Sequence, residues 1–137
     1  MPRNVKLHNL FDSRNMKDLG DLDVTAGIPI LYRFDMIGGP TLTQTVEITE
    51  KSRVIDAWVI NKAAGTSSDT ITIKNGTDAI TDAMDISGAN KTVKGVSTID
   101  DAYWDIAAGG TLAVTETDGG SNDSPMCTVY VLCHIVA

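Results

Sequence analysis

Residues 69–86 read DTITIKNGTDAITDAMDI, and this stretch decides the fold class. Ile71 and Ile73 alternate with Thr70, Thr72 and Lys74, the period of two that sends successive side chains to opposite faces of a strand. Asn75 and Gly76 follow at once. Asn-Gly is the favoured pair for a type I′ hairpin, because both central residues need a positive φ. The chain is therefore expected to turn there and return through Thr77–Ile86, with Ile80, Met84 and Ile86 on one side.

Strand signals continue in both directions. Ile28–Ile37 is apolar and β-prone and stops at Gly38, Gly39 and Pro40. Thr41–Ile48 alternates, and Ser52–Asn61 follows with Val54, Ile55, Trp58, Val59 and Ile60. Downstream, Gly88 and Asn90 mark a turn and alternation resumes over Thr92–Ile99. A second hairpin is expected where Tyr103–Ile106 meets the short loop Ala107–Gly110 and Thr111–Thr115 alternates again. The chain closes on Pro125–Ala137, with Cys127, Val129, Val131, Cys133 and Ile135 on one face and Thr128, Tyr130, Leu132, His134 and Val136 on the other. A strand apolar on both faces is central or covered by a neighbour. Seven to nine short strands at this spacing predict an all-β protein, a β-sandwich of which the jelly roll is one arrangement. Residues 27–137 form that domain. Residues 1–26 lack a clear period and read as an irregular N-terminal arm, with a weak helical pattern over Leu7–Leu19.

The 137 residues suffice for one core without disulfides or metals. Cys127 and Cys133 share a strand face about 20 Å apart, too far for a bridge, so both are expected as buried free thiols. The net charge of −7 disfavours nucleic acid, whose binding relies on Lys and Arg releasing counterions. Charge is uneven: Arg3, Lys6, Arg14 and Lys17 face Asp12 and Asp18 in residues 1–20, while residues 54–137 hold four lysines against eleven carboxylates. A mildly basic arm precedes an acidic body. No apolar run is long enough for a membrane helix and the N-terminus lacks signal-peptide character, so a soluble protein made in the cytoplasm is expected.

Catalytic constellations are not legible. GxSxG, GxxxxGK[ST] and GxGxxG are missing, and His8 and His134 lie in the arm and in a terminal strand. Cys127, Cys133 and His134 have zinc-ligand chemistry but a spacing that a strand cannot converge on one ion. Asp82 with Asp85, or Asp100, Asp101 and Asp105, have the chemistry of a glycosidase pair, yet solvated turns explain them. Asp118, Asn122 and Asp123 resemble a calcium loop in composition but lack the EF-hand order. No catalytic residue, cofactor or metal is expected. Trp58 reads as core, and Trp104, beside Tyr103 and flanked by Asp101 and Asp105, as the better surface aromatic for stacking a sugar or meeting a subunit.

The runs VIDAWVINKAAGTSSDTITIKNGTDAITDAMDI from Val54, STIDDAYWDIAAGGTLAVTETDGG from Ser97 and CTVYVLCHIVA from Cys127 resemble head decoration, or cement, proteins of tailed bacteriophages. The resemblance implies a jelly-roll-like homotrimer on the outer surface of the capsid, clamping neighbouring major capsid protein subunits in the virion. It carries over no catalytic or binding residue. From the residues themselves, the arm, through Arg3, Lys6, Leu7, Leu10, Phe11, Arg14 and Lys17, is expected to reach the shell or a neighbouring protomer, and Tyr130, Leu132 and Val136 to pack at a trimer contact. A tail or fibre module and a carbohydrate-binding module are the alternatives.

Overall fold

The structure, a computed structural model, describes residues 27–66 and 68–136. The N-terminal arm, its weak helical pattern and its candidate contact residues Arg3, Lys6, Leu7, Leu10, Phe11, Arg14 and Lys17 lie outside the described residues. The strands are β1 (Pro29–Met36), β2 (Leu42–Glu47), β3 (Ser52–Asn61), β4 (Thr70–Asn75), β5 (Asp78–Ala79), β6 (Met84–Asp85), β7 (Val93–Gly95), β8 (Asp105–Ile106), β9 (Thr111–Thr117) and β10 (Cys127–Ile135).

They form two antiparallel sheets. One runs β1-β10-β3-β7 with β8 also on β3; the other runs β2-β9-β4-β5 with β6 also on β4. The pairing is nested: β1 meets β10 and β2 meets β9, while β3 and β4 take the other edges of β10 and β9. Two sheets wound this way are a jelly roll, so the sandwich expected from the turn spacing is the observed fold.

Alternation explains what lies between the sheets. Phe34 and Met36 of β1, Val54, Ala57 and Val59 of β3, Ile71 and Ile73 of β4, Leu112 and Val114 of β9, and Cys127, Val129, Val131 and Cys133 of β10 are all buried. Ile80, Met84 and Ile86 join them, as the returning segment of the hairpin predicts. Both cysteines are free and buried, and burial pushes the Cys133 thiol up to about 12, which keeps it protonated and inert.

Two turns differ from expectation. Asn75 pairs with Asp78, so the loop is Gly76–Thr77, and only Gly76 takes a positive φ, of 61°. That is the type II′ pattern, with glycine first, and not I′. Asn75 stays in the ladder opposite Leu112, and its Nδ2 donates to the carbonyls of Tyr103 (3.2 Å) and Asp105 (3.0 Å). The second expected hairpin is not one. β8 pairs with β3, through Ser52 to Ile106 and Arg53 to Asp105, whereas β9 lies in the other sheet. The Ala107–Gly110 turn, closed by Gly110 N–H donating to Ala107 O at 2.8 Å, carries the chain between the two layers.

Candidate functional site

Of the acidic residues weighed as catalytic or calcium groups, Asp82, Asp85, Asp100 and Asp118 are held by amides. Asp82 accepts from the Ser97 and Thr98 N–H groups, Asp100 from Ala102 and Asp85 from Ser87, the last with its pKa lowered chiefly by Ser87. Asp105 takes the Arg53 guanidinium at 2.7 and 3.0 Å, which lowers its pKa. Asp118 and Asp123 do come together, but with Asp69 in place of Asn122, and their ligand atoms lie within 4.8 Å of one another. Asp118 accepts from the amides of Gly120, Asn122 and Asp123, and Asn122 leads in lowering its pKa. Asp69 accepts from Gly119 N–H (2.8 Å) and from the Thr66 hydroxyl (2.8 Å). The Asp118 and Asp69 carboxylates accept from loop amides and so pin the 118–124 loop.

Glu116 has no counterpart in the sequence reading. It sits on the inner side of β9 in register with Leu42 and Ile71, with no exposed surface. The Cys127 thiol donates to its Oε2 at 3.4 Å, and its Oε1 has no partner. Burial raises its pKa, so the carboxyl favours its neutral form.

The surface that stands out is the outer face of the β1-β10-β3-β7 sheet. Strand register places its side chains in rows: Leu31, Leu132 and Asp56; then Arg33, Tyr130 and Trp58; then Asp35, Thr128, Ile60 and Val93. A β-bulge between Leu132 and Cys133 gives β3 an extra residue and turns both Ile55 and Asp56 outward. Leu31 is 51% exposed and Val93 62%. Trp58 and Tyr130 stack in the middle row, ring centroids 5.5 Å apart and 21° from parallel. Among the described residues, seven large apolar side chains remain exposed, and all but Tyr103 lie on or at the ends of this sheet: Ile28, Leu31, Ile37, Ile55, Val93 and Met126. Large exposed apolar side chains gathered on and around one sheet, interspersed with Arg33, Asp35 and Asp56, make this face the candidate interaction surface. Its polar border is the Asp35 carboxylate, which accepts from Arg33, Lys62 and Thr128.

The opposite outer face differs sharply. There β2, β9 and β4 carry Thr43, Thr45, Thr70, Thr72 and Thr117 around Ala113 and Thr115, which are buried at its centre, with the Thr43 and Thr115 hydroxyls 2.9 Å apart. One outer face is dressed in small and hydroxyl side chains, the other in large apolar ones among a few charges.

Of the residues expected at a subunit contact, Tyr130 and Leu132 lie on the apolar face, half-buried. Val136 lies beyond the strand end, its N–H donating to Lys51 O at 2.9 Å. The two tryptophans reverse their expected places. Trp58 belongs to the outer face, because Ala57 and Val59 on either side of it point inward. Trp104 packs against the core, with the Arg53 guanidinium 4.4 Å above its ring. Leu31, Ile55, Ile60 and Val93 complete the stripe and were missed. The signal for Ile55 and Ile60 was present, since β3 is apolar at both strand parities.

No protein-family model and no curated protein matches the sequence. Among solved structures, a chain of the cyanophage Pam1 capsid asymmetric unit is similar with a TM-score of 0.56, at 13% identity, over 85% of this chain and 91% of that one. At that identity the likeness is one of fold: the jelly roll described above recurs nearly end to end in a chain from a phage capsid.

Proposed function

We propose that this protein is a capsid decoration, or cement, protein that binds the outer surface of a phage head as a homotrimer and bridges major capsid protein subunits. The observation that carries the reading is the unequal dress of the two sheets: an apolar stripe on one outer face and threonines on the other, on a fold shared with a chain of a phage capsid. A protein working this way needs surfaces and no catalytic step. Within the assembly the apolar side is covered and the threonine side faces water. Three copies on one rigid trimer add weak contacts through effective concentration, which reinforces a shell without any single strong site.

The test is to add purified protein to phage heads that lack it. Saturable binding, density on the outer surface and a higher disruption temperature are expected. Heads that bind none of it, or binding confined to tails, would sink the reading, the second outcome in favour of a tail module.

A further inference from the structure

We propose that the apolar outer face of the β1-β10-β3-β7 sheet is the docking site of the chain's own N-terminal segment, centred on Leu22 and Val24. The point of attachment is the first argument. Gly27 N–H donates to Ile135 O and Ile135 N–H donates to Ile28 O, which fixes the junction at the end of β1 that borders the stripe. Gly27 itself takes a φ of +82°, with open space where a Cβ would stand, a conformation that turns the chain there at no steric cost to glycine.

Reach is the second argument. Twenty-six residues precede Gly27. The eight of them from Leu19 to Ala26 span about 26 Å when extended, whereas the rows from Leu31 to Asp35 cover only about 13 Å, both at about 3.3 Å per residue.

Chemistry is the third. Leu22, Val24 and Ala26 alternate with Asp21, Asp23 and Thr25, so one side of an extended segment is apolar and the other acidic. The apolar side matches Leu31, Leu132, Tyr130 and Trp58. Tethering raises the local concentration of the segment, so modest contacts suffice. The same contact forms within one chain or by exchange between copies, a low-cost route to an oligomer. It depends on the fold alone and stands whether or not the protein decorates a capsid.

Hydroxyl-radical footprinting of the full-length protein tests it. Trp58 and Tyr130 should label several-fold more slowly than the exposed Tyr103, which lies off the face. In the Leu22→Asp, Val24→Asp variant their labelling should rise to the level of Tyr103, while Cys127 and Cys133 stay unreactive and so report an intact sandwich. Labelling of Trp58 already as fast as Tyr103 in the wild type would overturn the inference, as would protection that the arm variant leaves unchanged. Protection lost on dilution alone, with the arm variant behaving like the wild type, would also overturn it and assign the face to a second copy.

Discussion

Replacing Glu116 by Leu should stabilise the protein at neutral pH and flatten its response to pH. Glu116 is buried between Leu42 and Ile71; its Oε2 accepts from the Cys127 thiol, and its Oε1 has no hydrogen-bond partner. Burial raises its pKa above the ordinary 4.5; Asp69 and Asp118 add to the rise, against the opposing pull of Cys127 and of the Gly38 amide. Below about pH 4.5 the residue is protonated in both states and contributes no pH dependence. As pH rises past that value the unfolded chain releases the proton while the folded chain keeps it. Stability then falls by up to about 1.4 kcal/mol per pH unit until the raised native pKa is passed. Leucine has no proton to lose and removes an unpartnered polar oxygen from the core, a gain of about 1–3 kcal/mol at neutral pH. For a domain of this size that raises the melting temperature by roughly 3–6 °C per kcal/mol. Urea denaturation of both proteins from pH 4 to pH 8 measures the difference. Taking the difference also cancels Asp35, Asp85 and Asp105, whose lowered pKa values act in the opposite sense and cost stability as pH falls. A difference that does not change with pH, or a variant less stable at pH 8, would refute the reasoning and mean that Glu116 is a well-partnered anion.

Gly38→Ala should cost about 1–3 kcal/mol, because φ is +77° and the new Cβ would stand 2.5 Å from the Ser124 carbonyl oxygen. Gly39→Ala, at φ +92° with nothing nearer than 4.0 Å, should cost less, and the order of the two midpoints in urea checks this. Arg53→Ala removes the two-pronged bond to Asp105 and the cation above Trp104, and the urea midpoint should show a measurable loss. Arg53→Lys should recover less than half of it, since an ammonium cannot bond in a fork or stack. Asp118→Ala should speed amide exchange at Gly120, Asn122 and Asp123 while the β10 amides stay protected, as read by hydrogen exchange; equal acceleration in β10 would show that the loop and the sandwich are one unit.

The strands were legible because their burial follows a local period. Ser52–Asn61 was bounded to the residue, and Cys127–Ile135 carried its two faces in plain alternation. The connections were less legible because pairing is a property of distant segments. Asp105 and Ile106 are adjacent in sequence to a glycine turn, yet the Arg53 fork and the buried Ile106 draw them to β3, more than fifty positions earlier. The Asn75–Gly76 pair announced a turn correctly, but the choice between I′ and II′ depended on carbonyls of Tyr103 and Asp105 that hold Asn75 in the ladder. Glu116 shares the inward parity of Leu112 and Val114, but a glutamate near a strand end ordinarily reads as solvated, and the register with Leu42 and Ile71 shows that it stays between the sheets.

The outer faces raise a different difficulty. A strand with apolar residues at both parities is ordinarily read as central, and β3 and β10 are indeed flanked by strands on both edges. Being central within a sheet covers the backbone, however, and leaves the outer side chains to whatever packs on that face. In this sandwich no second layer lies over Trp58, Tyr130 and Leu132 among the described residues, while the equivalent positions on β9 are Ala113 and Thr115. An isolated sandwich that needed only solubility would have both outer faces like that of β9. The cost of keeping the apolar one, exposed surface that promotes association, is offset only when something covers it. It is the asymmetry between two sheets of one fold, not any single motif, that singles this face out.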